Sequence, residues 1–224
     1  MVVDTRISQI IFILFPHHLK IGDILSMRIL AISDIHGNES LVRRLADEAE
    51  KNDVDMVLIA GDISEFGELT KNMIGPFLSK GKKVVFVAGN HDAPGIAEFL
   101  VEKYKITNAQ NHAIIQDDVG IFGCGGANIG INFTNEEEMH HYLTKGFGYV
   151  NKADKKVMLT HMHPKGGMIE KFSFPGSESV TRAIYELKPD IHICGHIHEM
   201  EGFEEKIGKT RIICVGSRGK IIEV

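Results

Sequence analysis

Short apolar segments alternate with longer amphipathic ones along the chain from Met27 onward. Five apolar runs are rich in Val, Ile and Leu and do not alternate strictly with polar residues: RILAIS (28–33), DMVLIA (55–60), KVVFVA (83–88), KVMLT (156–160) and DIHIC (190–194). Strands covered on both faces have this composition, whereas strands with one solvated face alternate. The five runs therefore predict buried strands.

Helical periodicity occupies the segments between these strands. Apolar residues recur every three or four positions in three of them: Leu41–Leu45–Ala49, Leu69–Met73–Phe77 and Val180–Ala183–Ile184–Leu187. Ser177 is a good N-cap for the last of these helices, and Pro189 ends it. A further helix is predicted from Asn135 to Leu143. The overall order is βαβαβ, then hairpins with one helix, then βαβ.

The C-terminal part of the pattern indicates antiparallel strands. Segments GFEEKI and RIICV are separated by Gly208-Lys209, which suits a two-residue turn, and a final strand KIIEV follows. With 224 residues of which 43% are apolar, the chain can fill one sizeable core. We therefore expect a single α/β domain.

Residues 1–26 differ from the rest. Their apolar run, IIFILF, is six residues long and is followed by Pro16, so it is too short to span a bilayer. A secretory leader also fits poorly, because Asp4 lies in the charged region and no small-residue cleavage site follows. We expect residues 27–224 to form the domain and residues 1–26 to be a dispensable extension. An added strand or a surface anchor is the alternative.

Charge and cysteine content narrow the class of protein. The formal net charge is -5 with both signs interspersed, and no Lys/Arg-rich run could follow a phosphate backbone, so nucleic acid is not an expected partner. Cys124, Cys194 and Cys214 are odd in number and far apart in sequence. This spacing supports neither a disulfide framework nor a C-x-x-C site, and it fits a reducing cytoplasm.

Each of the five predicted strands is followed by potential metal ligands. In chain order the segments are DIH (34–36), GD (61–62), GNHD (89–92), His161 and GHIH (195–198). The carboxyl ends of parallel strands meet at one edge of a sheet, where open α/β folds place their ligands. Gly61, Gly89 and Gly195 would let the backbone turn sharply at that edge. We therefore expect these polar residues to meet in space.

This ordered set resembles the pattern of the calcineurin-like metallophosphoesterase superfamily, which is D-x-H, G-D, G-N-H-[DE], H and G-H-x-H. Each block is weak evidence by itself, but all five are intact and in order between Met27 and the C-terminus. The resemblance implies a metallophosphoesterase fold, in which two mixed β-sheets stack as a sandwich flanked by helices. It also points to the small, uncapped prokaryotic branch, since the stretch 123–143 is too short for a lid domain.

The resemblance also implies a role for each matching residue. One metal would be held by Asp34, His36 and His198, and a second by Asn90, His161 and His196, with Asp62 bridging the two. His91 would be the unligated histidine beside the scissile phosphate, with Asp92 orienting its ring. Gly37 and Asn38, at the start of the first helix, would help to bind phosphate through backbone N–H groups.

The residue types suit this chemistry without reference to the family. Two neighbouring divalent ions need one carboxylate that reaches both, and they lower the pKa of a bridging water so that the hydroxide attacks phosphorus in line. Imidazole and carboxylate ligands without thiolate suit manganese, iron, cobalt, nickel or zinc, and we expect manganese. An imidazole that titrates near neutral pH suits His91 as the general acid.

Several other polar residues have simpler interpretations. We interpret His163 as a loop histidine, with a ligand or substrate contact as the alternative, and His192 as a packed strand histidine. Cys194 borders the site, and we interpret it as a small buried strand residue. Arg218, in the segment V-G-S-R-G, receives no role.

The function expected from these features is a cytoplasmic, binuclear-metal phosphoesterase acting on small phosphorylated substrates, and we expect phosphodiesters. One alternative is a non-catalytic member of the fold that serves as an interaction scaffold, but this chain has lost no ligand. Another is a phosphomonoesterase or a nuclease, and the missing basic groove argues against a nuclease. The sequence names neither the substrate nor the oligomeric state.

Overall fold

Two β-sheets form the centre of the molecule in the computed structural model, which describes residues 26–224. The strands are β1 (Arg28–Ile32), β2 (Met56–Ala60), β3 (Lys83–Val87), β4 (Thr107–Asn108), β5 (Ile114–Gln116), β6 (Val119–Cys124), β7 (Lys155–Thr160), β8 (Ile191–Cys194), β9 (Glu204–Ile207), β10 (Thr210–Cys214) and β11 (Lys220–Glu223). All five predicted buried runs are confirmed as strands. The proposed extension 1–26 lies outside the described residues, apart from its last residue.

The two sheets have different strand orders. The first sheet has the order β11-β1-β2-β3-β4, in which β1 to β4 are parallel and β11 is antiparallel. The second sheet has the order β5-β6-β7-β8-β10-β9, in which β6, β7, β8 and β10 are parallel and the two edge strands are antiparallel. Both sheets are therefore mixed, as predicted.

Helices cover the outer faces of the two sheets. They are α1 (Glu39–Lys51), α2 (Gly75–Ser79), α3 (Ile96–Tyr104), α4 (Glu136–Val150) and α5 (Glu178–Leu187). One apolar cluster joins α1, α2 and α3 to the first sheet, a second lies between the sheets, and a third joins α4 and α5 to the second sheet. This four-layer arrangement confirms the predicted sandwich. No helix among the described residues is both long and apolar enough to cross a bilayer.

Local sequence signals explain most helix boundaries. The side chain of Ser177 accepts a hydrogen bond from the Val180 N–H, and α5 ends at Leu187 with Lys188 as a left-handed C-cap directly before Pro189. Helix α4 begins with a capping box between Asn135 and Glu138, as its acidic first turn suggests. It continues beyond the predicted end to Val150.

The helix predicted over Leu69–Phe77 is wrong. Only the short α2 forms, with Pro76 in its first turn. A helix starting at Leu69 would place this proline in its interior, where the ring removes a hydrogen bond and clashes with the preceding turn. Met73 and Phe77 are nevertheless buried. The spacing of apolar residues therefore predicted their burial correctly but the length of the helix incorrectly.

The C-terminal strands also depart from the prediction. Gly208-Lys209 does form the turn between β9 and β10, which pair antiparallel. However, β10 also lies parallel to β8, and β11 crosses to the first sheet to pair with β1. The last strands are therefore not a run of hairpins, and the segment between β10 and β11 joins the two sheets.

Candidate metal centre

The polar residues that follow five strands converge on one cluster. Asp34 and His36 follow β1, Asp62 follows β2, Asn90 follows β3, His161 follows β7, and His196 and His198 follow β8. Potential ligand atoms lie within 4.8 Å of one another in three sets: Asp34–His36–His198, His36–Asp62–His91 and Asp34–Asp62–His161. The expected convergence is therefore present.

One half of the cluster is formed by Asp34, His36 and His198. The Nε2 atoms of the two histidines are 3.3 Å apart, and His198 Nε2 is 3.4 Å from Asp34 Oδ1. Asp34 Oδ1 is buried and has no hydrogen-bond partner among the described residues. A buried carboxylate oxygen is costly to leave unpaired, so a cation at this point would satisfy it.

The other half is formed by Asn90, His161 and His196. His161 Nε2 lies 2.8 Å from Asn90 Oδ1 and 3.2 Å from His196 Nδ1. The opposite nitrogen, His161 Nδ1, is 2.7 Å from the Ala60 carbonyl oxygen. A proton on Nδ1 donated to this carbonyl leaves the Nε2 lone pair directed at the cluster, as metal-ligating histidines require.

Asp62 lies between the two halves. Its Oδ2 is 3.8 Å from His36 Nε2 on one side and 3.4 Å from His161 Nε2 on the other. Its Oδ1 accepts a 2.8 Å hydrogen bond from the His91 N–H. The geometry therefore directs a single oxygen of this carboxylate at both halves, while the other oxygen anchors the following loop.

Four of the twelve non-glycine residues with a positive φ among the described residues are predicted ligands. Asp34, His36, Asp62 and His196 have φ values of 54°, 46°, 52° and 73°, in the left-handed region that such residues rarely adopt. Each costs on the order of 1–3 kcal/mol. The surrounding fold enforces this conformation at four predicted ligands, which is typical of functional sites.

The glycines at the strand ends permit close approach as well as sharp turns. Gly61 has a φ of 92°, in agreement with its predicted role. Gly89 is needed for space, since a Cβ there would lie 2.0 Å from Asp62 Oδ1. A Cβ on Gly195 would lie 1.9 Å from Ser33 Oγ. Any larger residue at either position would displace the neighbouring strand end.

Charges within the cluster are strongly coupled. Burial favours the neutral form of Asp62, but its contact with His161 and the bond from the His91 N–H outweigh burial and lower its pKa to about 2. Burial likewise opposes a charged His161, but Asp62 outweighs it and raises the histidine pKa to about 9. Burial, and then the charge of His161, lower the pKa of His196 to about 4. Without a cation, His161 therefore supplies the positive charge that Asp62 requires.

His91 borders the cluster. Its ring packs edge-on against His36 with centroids 5.0 Å apart and lies 4.6 Å from the ring of Phe66. The side chain is about a quarter exposed, at 26%. A substrate at the cluster could therefore reach this ring from solvent.

Asp92 does not orient the His91 ring, contrary to expectation. Its Oδ2 accepts hydrogen bonds from the Gly89 and Ile63 N–H groups, and its Oδ1 accepts from the N–H and hydroxyl of Ser64. The fully buried carboxylate thus ties the loop after β2 to the loop after β3. Asp92 therefore stabilises the two loops that carry the site, and we no longer assign it a catalytic role.

Glu65 is the residue that the sequence reasoning missed. Its Oε2 is 2.8 Å from His36 Nδ1, a close contact without hydrogen-bond alignment, and its Oε1 is 3.8 Å from His91 Nδ1. A carboxylate on the outer nitrogen of a metal-ligating histidine orients the ring and strengthens it as a ligand. Its only signal in the sequence is its position three residues after Asp62, on the same strand-end loop.

Asn38 caps a helix rather than offering N–H groups to a substrate. Its side chain accepts from the Leu41 N–H, and its own N–H donates to the Ile35 carbonyl. The N–H of Gly37 is likewise bonded, to the Ile63 carbonyl. The expected backbone contribution of Asn38 to phosphate binding is therefore wrong.

The remaining polar residues lie outside the cluster. His163 is a buried loop histidine whose Nε2 is 3.1 Å from the Phe174 carbonyl oxygen. His192 is a packed strand histidine, bonded to the Thr160 hydroxyl at 2.7 Å. Arg218 pairs with Glu201 at 3.1 Å.

Cys194 is buried, as expected, but it is not isolated from the other cysteines. It lies beside Cys214 on the neighbouring parallel strand, with the two Sγ atoms 3.3 Å apart. Both are free thiols. The contact with Cys214 and burial raise the pKa of the Cys194 thiol, which keeps it unreactive.

Comparison with known proteins identifies the class that this fold and cluster define. The sequence model of the calcineurin-like phosphoesterases matches residues 27–200, so the chain belongs to this family. It is accordingly a hydrolase that acts on phosphoester bonds. No curated protein matches the sequence significantly.

Solved structures share the fold at low sequence identity. The protein TT1561 of Thermus thermophilus has a TM-score of 0.71 at 16% identity, over 89% of this chain and 98% of that one. A dimetal phosphatase from Danio rerio has a TM-score of 0.53 at 13% identity, over 85% and 88% of the two chains. GAP50, the anchor in the inner membrane complex of Plasmodium, has a TM-score of 0.56 at 11% identity, over 85% and 71%. These likenesses establish the fold alone.

Proposed function

We propose that this chain hydrolyses small phosphodiesters at the strand-end cluster with the help of two divalent metal ions. The observation that carries the proposal is the position of Asp62 Oδ2, which lies within 3.8 Å of imidazole nitrogens on two sides. Further ligands complete a group on each side of it. The cluster therefore has the composition of two adjoining cation sites that share one carboxylate.

The donor set fits two ions. One would be held by Asp34, His36 and His198, and the other by Asn90, His161 and His196, with Asp62 common to both. Two observations support the fit: the unpartnered buried Asp34 Oδ1, and the convergence of imidazole nitrogens to within 3.3 Å in each half. Because no thiolate takes part, we propose manganese before iron, cobalt, nickel or zinc.

Divalent ions in such a site neutralise phosphate oxygens and make water a stronger nucleophile near neutral pH. The chain itself contributes position and a proton. We assign His91 as the general acid that protonates the leaving oxygen, because its ring borders the cluster and is partly exposed. Glu65 faces both His36 and His91, and we assign it to hold these two rings in place.

A second role for His91 has some support. One of its ring nitrogens lies within 4.8 Å of ligand atoms of His36 and Asp62, so the ring could act as a ligand instead of an acid. The metal content of a His91→Ala protein separates these roles.

We propose diesters before monoesters because, in the part of the chain that the structure describes, the carboxylates of the cluster have no lysine or arginine side chain paired with them. A phosphomonoester carries about two negative charges at neutral pH and a diester carries one. Among residues 26–224, no Lys or Arg forms an ion pair with Asp34 or Asp62. A phosphomonoesterase is the second candidate, since it would need the same ions. The three cysteines are free, and we place the enzyme in a reducing compartment such as the cytoplasm.

The test compares bis(p-nitrophenyl) phosphate with p-nitrophenyl phosphate. We expect chelator-treated protein to be inactive, Mn²⁺ to restore activity best, and kcat/KM to be higher for the diester. Full activity in excess chelator would overturn the metal mechanism. A higher kcat/KM for the monoester would show that the protein is a phosphomonoesterase and not a phosphodiesterase.

A further inference from the structure

A groove lies beside the cluster, between the loop that follows β2 and helix α3. Its volume is about 590 Å³, and its lining includes Leu69, Lys71, Phe99, Lys103 and Tyr104. Sites for small ligands typically measure about 300–1,000 Å³. The groove is therefore large enough for a nucleoside-sized group.

The groove begins where the cluster ends. Gly67, which lines it, donates its N–H to the His91 carbonyl at 2.9 Å. Ala93, two residues after His91, lines the same groove and packs against Gly67. At the other side, Thr70 packs over Gly37, the neighbour of His36. The loops that carry His36 and His91 therefore border the groove.

The groove offers an aromatic face and two ammonium groups. Phe99 is 45% exposed although it is a large apolar residue. The ammonium of Lys103 lies 5.2 Å from the centroid of Phe99 and 5.1 Å from that of Tyr104. Within the described residues, neither Lys71 nor Lys103 forms an ion pair with a carboxylate.

Unpaired lysines are notable because the chain carries a net charge of -5 and several other lysines are paired with acids. A planar group that stacks on the Phe99 face under the Lys103 ammonium would displace this ammonium, which together with Lys71 would attract an anionic group. The groove therefore matches a group that is both aromatic and anionic. Two lysines are too few to follow a polymer backbone, which favours a single nucleotide over a nucleic acid.

We propose that this groove is a specificity subsite for one ester group of the substrate, and that it selects a nucleoside that carries an additional phosphate. The proposal rests on the proposed phosphodiesterase function and adds the substrate class. Phe99 is the stacking residue, and Lys71 and Lys103 bind the second phosphate. None of the three contributes to metal binding.

The experiment uses three substrates with the same leaving group: methyl p-nitrophenyl phosphate, thymidine 5′-(p-nitrophenyl phosphate) and the 3′-phosphate of the latter. p-Nitrophenolate is a good leaving group that does not need a proton from His91. The leaving group therefore need not lie beside His91, and the nucleoside can occupy the groove there. We expect kcat/KM of the wild type to rise about tenfold with the nucleoside, through KM, because stacking on one aromatic ring contributes about this much. The added 3′-phosphate should raise it further.

Matched variants locate the effect. Phe99→Ala should lower kcat/KM for the two thymidine substrates about tenfold and leave the methyl ester unchanged. Lys103→Met should remove only the gain that comes from the 3′-phosphate. The controls are Tyr185→Ala, an exposed aromatic residue on α5, and Lys145→Met, an exposed lysine on α4, and neither should change any ratio.

Equal kcat/KM for the three substrates would overturn the subsite, and so would an equal loss on all three in Phe99→Ala. If the wild type hydrolyses none of them, the proposed function fails separately. Calorimetric binding of thymidine 3′,5′-bisphosphate then decides the subsite. Weaker binding to Phe99→Ala than to Tyr185→Ala would support it, and equal affinities would overturn it.

Discussion

The two sheets supply different kinds of ligand to the cluster. Of the proposed ligands, the first sheet contributes every oxygen and one imidazole: Asp34, His36, Asp62 and Asn90. The second sheet contributes imidazoles alone: His161, His196 and His198. Each proposed ion takes ligands from both sheets, so neither sheet holds a complete site. Binding of the proposed ions would thereby be coupled to the stacking of the two sheets.

The two sides also differ in how exposed their residues are, although strand-end loops are bonded to each other on both sides, as in the Gly195 N–H bond to the His161 carbonyl. On the first-sheet side, the strand-end loops are bonded to one another through the Asp34 N–H to Gly61 and the His36 N–H to Asp62. On the second-sheet side, the His198 side chain is 61% exposed, whereas that of its partner Asp34 is 3% exposed. His198 is the one proposed ligand that is exposed, and the other six are buried or half-buried.

The largest effect is expected from the one residue that serves both halves. Asp62→Ala should lose both metal equivalents and lower kcat on the diester by about 10⁴-fold or more, because charge neutralisation and water activation are both lost. Metal analysis and steady-state rates measure this. Asp118→Asn, at an exposed loop position, is the control. A variant that keeps two ions would show that Asp62 does not join the halves.

A pair of variants separates metal binding from proton transfer. We expect His161→Ala, on the second sheet, and His91→Ala, on the first, each to lower kcat by about 10²- to 10⁴-fold. Only His161→Ala should lose a metal equivalent. The loss of kcat in His91→Ala should also be greater for a substrate with a poor leaving group than for one with a good leaving group. Loss of a metal from His91→Ala, or an equal loss on both substrates, would remove His91 as the general acid.

Glu65 tests the first-sheet side alone, since it contacts His36 and no second-sheet ligand in the described structure. Glu65→Gln should weaken metal affinity about 10- to 100-fold, as the loss of an outer carboxylate typically does. A competition titration against a metal-binding dye measures the affinity. Glu68→Gln, an exposed neighbour on the same loop, is the control. Unchanged affinity in Glu65→Gln would limit this residue to positioning His91.

His192 allows a comparison within the second sheet between proposed ligands and a buried histidine that is not one. It lies on β8, outside the cluster. Burial lowers the pKa of His192 from 6.5 to about 3. The unfolded chain therefore binds a proton below pH 6.5 that the folded protein excludes. The unfolding free energy of the wild type should consequently drop by about 1.4 kcal/mol per pH unit from this residue as pH falls. His192→Asn should show a correspondingly smaller slope in urea unfolding between pH 6.5 and 5, and an identical slope would refute this.

The smallest effect is expected from the N-terminal extension, because it carries no residue of either half. Removal of residues 1–26 should leave metal content and folding intact. The kcat of the truncated protein should stay within about tenfold of the kcat of the full chain. A tenfold difference corresponds to about 1.4 kcal/mol in the activation barrier. A well-folded, fully metallated truncation that is slower than this would show that the extension helps to build the site.

Much of the cluster could be predicted from the sequence because its parts are local. Each ligand follows a strand within a few residues, and the apolar runs mark where those strands end. Parallel strands direct their carboxyl ends to a common edge, so five separate segments could be placed together without coordinates. The same local reasoning correctly identified the Ser177 cap and the turn at Gly208.

Other features depend on contacts between segments that are distant in sequence. The family resemblance implied that Asp92 orients the His91 ring, but hydrogen bonds from the loop after β2 turn its carboxylate away. Glu65 faces His36 only because the loops after β1 and β2 are packed together. Cys194 and Cys214 are 20 residues apart yet meet on neighbouring strands.

The sequence by itself determined the class of fold and the set of candidate ligands, since periodicity and strand-end residues are properties of short segments. Only the tertiary structure decided that oxygens come from one sheet and most imidazoles from the other. It alone also decided that β11 joins the first sheet and that a lysine- and aromatic-lined groove adjoins His91. The physical reason is that sheet pairing and loop packing are set by long-range burial and hydrogen bonding, which leave no periodic trace in the chain.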